Sequence, residues 1–546
     1  MSRSLVRRSR RQVLGMGAGA LGAAVFAACA RAGKDGESGG ESQAATRTIP
    51  LLNSAAAGER TPGGVLRLGA IGEEGRDALL GALIYSRLVA VDPRTALVYA
   101  DLAQSLEMPD PLTVVFRLRP ELRFHPDAQG LAAALTAEDV RRDLKGRTGN
   151  REYLFNEVVD RVDAPDQGTV LLRLRGPFSQ LFESLGDPAA GSVRSVQRSG
   201  VTGKPLGSGP FIPAARDAGG DVLARNQLHH RSGLPLLDGV AVLQFSDERE
   251  LAGAFARGDL DVGMPAEDVT GEDASAHREA EVPERPTFGL LGLGLSLLPE
   301  KGGRTVRFTP AFQDERVRRA IAVALDRQAI QERFGGTLSG PVGPAHGADA
   351  LPEAELAAHP LYRHDPAEAR ALLEAAGHSQ LAFRLQAPAR PVPRALAQLL
   401  LEQLGQAGLS PHLQLVESGE WKRSFRAGDF EATVFELEGL RTPDLGLRLH
   451  TSVGVEGDFS PWGYSSPVYD EAVRGVLAEI DPVLRAERSR RAQRLLLDDV
   501  PAMLPLFAPL ERVSVAVRVR GYEYAAYGFN ESWLAAQWDV AVGRGN

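Results

Sequence analysis

Between residues 365 and 416 the sequence alternates helical and extended patterns in a regular order. A helix is predicted over residues 365–376, because Asp365 is a suitable N-cap, Pro366 takes the first helical position and Gly377 follows the end. The next three segments have the patterns of a strand, a helix and a strand, over residues 381–386, 393–407 and 412–416. Two strands joined through a helix normally lie parallel in one sheet, so this region predicts an α/β fold.

Further segments extend this prediction to the rest of the chain. Residues 64–69 alternate like a first strand, and residues 314–325 predict a helix with one apolar face. That face is formed by Val317, Ala320, Ile321, Ala324 and Leu325. A chain of 546 residues is too long for one ordinary domain, so we expect two or three lobes.

The segment 116–140 predicts a hairpin, a turn and a helix start. Apolar and arginine side chains alternate over residues 116–124, the pattern of a half-buried hairpin, and a turn signal follows at residues 127–130. Thr136 precedes Asp139 by three residues, so the hydroxyl can cap free amides while the carboxylate lies near the positive helix end. A helix is expected to begin there.

The N-terminus has the organisation of an export signal. Residues 9–14 resemble the twin-arginine export motif, and the apolar run over 15–28 is shorter than the roughly 20 residues that cross a bilayer. Residues 26–29, Phe-Ala-Ala-Cys, resemble the lipobox of bacterial lipoproteins. We therefore predict a signal peptide over residues 1–28, a lipidated Cys29 and a flexible tether over residues 29–62; an incidental cysteine is the alternative.

Motifs for bond-making chemistry are missing from the sequence. There is no G-x-S-x-G, H-E-x-x-H or phosphate-loop pattern, and Cys29 is the only cysteine. The formal charge of −8 provides no extended basic surface for nucleic acid. We predict that the chain is not an enzyme, has no cofactor or metal site and does not bind nucleic acid.

Three other features have more than one interpretation. His229 and His230 could contribute to a metal site, but a surface or turn role is favoured. The glycines of residues 289–294 indicate close packing or a bending crossover strand. Trp421 and Trp462 are candidates for stacking on a ligand, although burial is the commoner position of tryptophan.

Many short segments, taken in order, resemble one family. They are Asp92-Pro93 with 100–103, 118–125 with 135–140, 207–211, Arg225-Asn226, 233–238, 258–261, 317–327, 365–377, Val500-Pro501 and 504–506. Their types and order are similar to those of the solute-binding proteins of ABC importers for oligopeptides, dipeptides, nickel and related solutes, bacterial solute-binding protein family 5. The resemblance implies an α/β, two-lobed periplasmic-binding-protein-like fold of type II, peptide-binding class, with an extra subdomain in the N-terminal lobe.

The resemblance also implies lobe boundaries. We expect a lobe I core over 63–91, 196–285 and 512–546, the extra subdomain over 92–195, and lobe II over 286–511. The segment 286–298 and the region after Pro505 are the candidate crossover strands.

The family resemblance further indicates where a solute would bind. Peptide binders of this family carry an aspartate before a Pro-containing turn, and that aspartate pairs with the α-ammonium group of the ligand. In this chain the equivalent position, counted from Pro443, falls on Gly439, and Glu438 is the adjacent acid. The predicted ligand-binding residues are Phe435, Glu438 and Gly439, together with the two tryptophans named above.

The function implied is capture of a solute without chemistry. We predict a monomeric, lipid-anchored extracytoplasmic protein, periplasmic or at the cell surface, that encloses a peptide or related small solute and delivers it to ABC permease subunits. A solute sensor outside transport, or an orphan binding protein of the same fold, is the alternative. An exported enzyme on this fold would need a cluster of perturbed titratable groups in the cleft.

Overall fold

A computed structural model describes most of the chain after residue 61. The described residues are 47–49, 62–92, 97–147, 154–196, 206–217, 220–263, 280–281, 284–301, 304–437, 442–452, 460–522 and 535–540. The predicted signal peptide, Cys29, Glu438 and Gly439 lie outside them. Within the described residues, none of the helices is both long and apolar enough to span a membrane.

The lobe I core is built on a seven-stranded sheet. Its central strand Val65–Ile71 runs parallel to Gly239–Phe245 and leads into the helix Gly72–Ile84. The spatial order of strands is Ala280–Glu281, Ser514–Ala516, Val262–Gly263, Val65–Ile71, Gly239–Phe245, Gly220–Arg225 and Phe211–Asp217. The fully buried carboxylate of Asp261 accepts hydrogen bonds from the Arg67 N–H at 2.8 Å and from Arg518 Nε at 2.6 Å. It thereby ties the returning C-terminal segment to the central strand.

The extra subdomain is built on a five-stranded antiparallel sheet. The strands, in spatial order, are Arg47–Ile49, Ala103–Asp110, Thr113–Leu118, Thr169–Leu174 and Val159–Asp166. Helix Ala137–Arg147 covers one face, and the apolar side chains of that face form a buried cluster. The edge strand Arg47–Ile49 differs from the predicted tether, because an open sheet edge offers backbone groups to which an extended segment can pair.

Lobe II is built on a six-stranded mixed sheet. The spatial order is Thr337–Leu338, Met503–Ala508, Leu290–Leu295, Ala432–Leu437, Ala382–Pro388 and Ser410–Val416. The strand Ala382–Pro388 runs parallel to both of its neighbours, and helix Pro391–Gln406 connects it to Ser410–Val416. This confirms the predicted strand-helix-strand unit and its parallel pairing.

The remaining elements complete the three parts. The other α-helices are Leu181–Gly186, Pro188–Gly191, Glu248–Ala256, Glu315–Ala324, Arg327–Phe334, Glu353–Ala358, Pro366–Ala375, Ser418–Ala427, Pro443–Arg448, Pro467–Leu477 and Pro482–Asp498. Short 3₁₀ helices lie at Pro310–Gln313, Pro344–Asp349, Pro360–Tyr362 and Ala535–Gln537, and a π-helix lies at Leu154–Val158. Small strand pairs join Val89–Asp92 to Leu97–Ala100, Glu300–Lys301 to Arg304–Thr305, and Val519–Arg520 to Asp539–Val540.

The chain crosses between the lobe I core and lobe II in two adjacent segments. Glu284–Pro286 leads from the seven-stranded sheet into the six-stranded sheet, and Leu510–Arg512 leads back. The two segments pair as antiparallel strands, with Arg285 opposite Glu511. We call this pair the crossover ribbon.

The predicted helices are confirmed together with their caps. Glu315–Ala324 is capped by Asp314, and all five apolar residues predicted for its core face are buried. Pro366–Ala375 is capped by the Asp365 side chain, which accepts from the Glu368 N–H at 2.9 Å. Gly377 then takes a left-handed conformation, with φ of 77°. The sequence predicted these helix boundaries because a cap depends only on residues that are near neighbours in the chain.

The predicted hairpin over residues 116–124 is wrong. Phe116 lies in the strand Thr113–Leu118, whose partners are the strands Ala103–Asp110 and Thr169–Leu174. The second predicted arm forms only one bridge, between Arg123 and Ala134. The alternating pattern predicted correctly which residues are buried, but it does not identify the strand with which they pair.

The predicted helix after Thr136 is confirmed, with a different capping contact. Ala137–Arg147 begins directly after this residue. The Thr136 hydroxyl donates to the Asp139 carboxylate at 2.7 Å, and the Thr136 N–H donates to the same carboxylate at 2.9 Å. The acid at the third helical position therefore reaches back over the helix start, as in the second half of a capping box.

Candidate functional site

Three of the five predicted ligand-binding residues lie together in lobe II. The rings of Phe435 and Trp462 have centroids 5.5 Å apart, and Phe425 joins Trp462 at 5.2 Å and Trp421 at 4.9 Å. Phe430 completes the group at 5.9 Å from Trp462. We call these five side chains the aromatic cluster. Phe435 and Trp462 are fully buried and Trp421 is 5% exposed, so in this conformation the cluster is packed core.

The position of Trp462 depends on a glycine in the neighbouring strand. A Cβ atom placed on Gly294 would lie 1.9 Å from Cζ3 of the Trp462 ring, far inside van der Waals contact. On the next alternate residue, a Cβ atom on Gly292 would lie 2.4 Å from the Phe435 ring and from the Leu504 carbonyl. The prediction that glycines 289–294 serve close packing is thus confirmed, whereas a direct ligand contact by the aromatic cluster stays a prediction.

The segment expected to receive the ligand ammonium group is described only at its two ends. Glu438 and Gly439 lie outside the described residues, between the strand Ala432–Leu437 and the helix Pro443–Arg448. On the strand side, Glu436 pairs with Arg390. The ammonium-site assignment to Glu438 and Gly439 remains a prediction.

Two buried polar side chains follow this segment. Asp444 is paired weakly with Arg448 at 3.8 Å, and its Oδ1 has no hydrogen-bond partner in the part of the chain that the structure describes. Burial raises the pKa of Asp444. His450 is fully buried, and among the described residues neither of its ring nitrogens has a partner. Burial lowers the pKa of His450 to about 3, so the imidazole is neutral at pH 7.

A buried ionic cluster joins lobe II to the extra subdomain. Arg485, on the helix Pro482–Asp498, donates from Nε and Nη2 to the Asp349 carboxylate at 3.0 and 2.7 Å. Its Nη1 donates to the Glu183 carboxylate and, at 2.9 Å, to the Ser179 carbonyl. We call Glu183, Asp349 and Arg485 the interlobe ion cluster. It lies where the extra subdomain meets lobe II.

The electrostatics of this cluster are those of a tightly paired cation between two acids. Burial alone would lower the pKa of Arg485, but the adjacent charges of Glu183 and Asp349 outweigh it and raise that pKa above its usual value. Burial raises the pKa of Glu183, and the charge of Arg485 opposes this only in part. Arg485 is therefore always charged.

Sequence reasoning did not find the interlobe ion cluster. Glu183 and Arg485 are separated by 302 positions in the chain, and Asp349 and Arg485 by 136. Glu183 lies in the short buried helix Leu181–Gly186, Asp349 ends the 3₁₀ helix Pro344–Asp349, and Arg485 lies in the long charged helix Pro482–Asp498, so the three share no local pattern. A single sequence does not show which oppositely charged residues, far apart in the chain, will meet in the fold.

The two adjacent histidines occupy a turn, as predicted, but His230 does not lie on the surface. Its Nε2 is 2.9 Å from Oδ1 of Asp101, and its side chain is 5% exposed. Burial alone would raise the pKa of Asp101, but the hydrogen bond from His230 and the charges of His230 and Arg87 outweigh it and lower that pKa. Folding supplies a carboxylate from 129 positions away, which the local sequence does not contain. No group of three or more metal-ligating side chains occurs within the described ranges.

The fold is that of two-lobed periplasmic binding proteins of the peptide and nickel class, with two lobes joined through paired crossover strands. The model for bacterial extracellular solute-binding proteins, family 5 Middle, matches residues 98–445. The chain belongs to this family, as the ordered motifs predicted. Members of this family are extracytoplasmic binding proteins of ABC transporters.

Curated relatives are similar at low identity over most of the chain. Di/tripeptide-binding protein 2 of Pseudomonas aeruginosa is 24% identical over 80% of this chain and 86% of its own. Glutathione-binding protein GsiB of Pectobacterium atrosepticum is 26% identical over 65% of this chain and 66% of its own.

Solved structures share the fold. HbpA2 from Haemophilus parasuis has a TM-score of 0.73 at 18% identity and covers 88% of this chain and 100% of its own. A nickel ABC transporter structure from Bacillus halodurans has a TM-score of 0.69 at 20% identity, with the same coverage. DppA from Helicobacter pylori, solved in complex with the peptide STSA, has a TM-score of 0.56 at 20% identity and covers 88% of this chain and 98% of its own.

Proposed function

We propose that the mature protein is a lipid-anchored solute-binding component of an ABC importer. It captures a short peptide or a related small solute between its lobes and presents the closed form to membrane permease subunits. It acts as a monomer and makes or breaks no bonds of the solute. Capture works because a solute that contacts both lobes binds the closed form more tightly than the open form, and so shifts the equilibrium toward closure.

The observation that carries the proposal is the crossover ribbon between the two lobes. Glu284–Pro286 and Leu510–Arg512 are short and adjacent, so small dihedral changes there rotate one lobe against the other. A hinge of this kind encloses a ligand in a cleft without rearranging either core. The family membership supports the transport role, and the similarity to a di/tripeptide-binding protein and a glutathione-binding protein supports the solute class.

Mass spectrometry of small molecules released from the purified protein tests the solute class. We expect short peptides, or peptide-like molecules such as glutathione, to be released in amounts approaching one per protein molecule. Trialanine and glutathione are then titrated into the stripped protein by calorimetry. If no small molecule is released and neither titrant binds, the transport proposal fails and the alternative of a sensor or orphan binding protein gains support.

The lipid anchor is a separate proposal that rests on Cys29. Replacing Cys29 by alanine removes the only thiol available for lipidation, so the exported protein should move from the membrane fraction to the soluble extracytoplasmic fraction. Cell fractionation followed by immunoblotting measures this. Ser38→Ala, in the predicted tether, is the matched control and should stay with the membrane. Membrane retention of the Cys29→Ala protein would contradict the anchor assignment.

A further inference from the structure

Lobe II and the extra subdomain make a second connection that is independent of the crossover ribbon. Ile480, which belongs to lobe II, is 2% exposed and packs in the hydrophobic cluster of the extra subdomain. The Ser179 N–H of the subdomain donates to the Leu477 carbonyl of lobe II at 3.1 Å. The two parts therefore share both an apolar contact and a backbone hydrogen bond.

The interlobe ion cluster lies at this same contact. Arg485 belongs to lobe II and forms a two-bond pair with Asp349 of the same lobe. Across the boundary it binds Glu183 and the Ser179 carbonyl. The Arg485, Glu183 and Asp349 side chains are 2%, 3% and 4% exposed, so these bonds are shielded from water.

Each of the two acids has a different structural context. Asp349 neutralises Arg485 within lobe II, so that lobe does not need Glu183 to compensate its buried arginine. Glu183 lies in the helix Leu181–Gly186, which is held to lobe I through a hydrogen bond from Arg87 Nη1 to the Gly186 carbonyl at 3.3 Å. The bond between Glu183 and Arg485 therefore links two bodies that the crossover ribbon allows to rotate.

We propose that Glu183 and Arg485 form a clasp that holds lobe II against the extra subdomain in the closed state, which makes them positioning residues for solute capture. The clasp breaks when the lobes separate, and both charged groups are then hydrated. The clasp is directional, since the Arg485 guanidinium can donate to both the Glu183 carboxylate and the Ser179 carbonyl in only one relative orientation of the two parts. The link to solute capture rests on the proposed function, but the clasp itself can be tested without a solute.

The experiment measures the distance between the lobes in solution. Cys29→Ala gives a cysteine-free chain, into which Gln167→Cys in the extra subdomain and Glu374→Cys in lobe II introduce spin labels at exposed positions. Double electron–electron resonance gives the distance distribution of the protein after removal of solute, and again with trialanine. The labelled protein with Glu183 and Arg485 intact should populate a state in which the two labels are a short distance apart.

Reversing the charge of Glu183 should open the lobes. Glu183→Arg places a cation against Arg485 while the Arg485–Asp349 pair of lobe II stays intact. We expect the ratio of short to long distances to fall by about tenfold or more, because an uncompensated buried charge is costly. Glu183→Gln is the milder second variant, because it removes the charge and keeps the shape of the side chain, and it should lower the same ratio by a smaller factor.

Arg494 provides the matched control on the same helix. It pairs with Glu355 at 2.6 Å within lobe II, and both side chains are partly exposed. Arg494→Met should leave the distance distribution unchanged. The clasp would be overturned if Glu183→Arg left the distance distribution unchanged. It would also be overturned if the labelled protein with Glu183 and Arg485 intact showed no short-distance state, either after removal of solute or with trialanine. A clasp that responds to these variants while trialanine has no effect would count against the proposed solute instead.

Discussion

Replacing Trp462 by alanine is expected to lower the free energy of unfolding by about 3–5 kcal/mol, the range for removing a large aromatic side chain from a packed core. The indole is fully buried, and it contacts the rings of Phe425, Phe430 and Phe435 as well as the backbone at Gly294. The neighbouring strand cannot collapse into the space, because it is fixed in the six-stranded sheet between two partners. Urea denaturation followed by circular dichroism measures the loss.

The same variant decides between the two interpretations of this tryptophan. Val468→Ala, at a position 67% exposed in the same lobe, is the control and should change the free energy of unfolding by less than about 0.5 kcal/mol. If Trp462→Ala unfolds like the control but loses affinity for the released solute, the residue acts on the ligand. A large loss of stability establishes it as core.

Acid is expected to destabilise lobe II through His450. Its pKa is about 3 in the folded protein, because burial disfavours the imidazolium, and about 6.5 in the unfolded chain. Below pH 6.5 the unfolded state therefore binds more protons than the folded state. The stability present above pH 6.5 is lost as the pH falls toward 3, and between pH 7 and pH 5 the loss from this group is about 2 kcal/mol.

A His450→Leu variant tests this assignment. Leucine fills a similar volume and cannot titrate, so the difference in unfolding free energy between pH 7 and pH 5 should shrink by the same about 2 kcal/mol. A residual slope is expected from His125, whose pKa burial lowers to about 4 in the extra subdomain. Urea denaturation at both pH values provides the measurement. An undiminished slope in His450→Leu would mean that this imidazole is not buried neutral.

Elements fixed by near neighbours in the chain were predictable, and pairings between distant segments were not. The helices after Asp314 and Asp365 were predicted with their caps, because a cap is an interaction between residues two or three positions apart. The hairpin over residues 116–124 was predicted wrongly, because Phe116 pairs instead with Leu106, 10 positions earlier, and with Val170, 54 positions later. Periodicity states which side chains are buried and not what they are buried against.

The candidate site divides in the same way. The sequence placed Phe435, Trp421 and Trp462 among the functional candidates, and folding brought them together as one cluster. The rings of Phe435 and Trp462 are enclosed because Gly292 and Gly294, in a neighbouring strand, have no side chains and leave the space that these rings fill. Close approach of a glycine to a distant ring is a property of the packed core.

The sequence by itself determined the fold class and the family, because ordered local motifs and helix boundaries depend on near neighbours. Only the tertiary structure decided which charges meet. Glu183, Asp349 and Arg485 come together because three distant segments pack against one another, and their strength arises from the exclusion of water, which no stretch of sequence determines alone. The same packing buried His230 against Asp101.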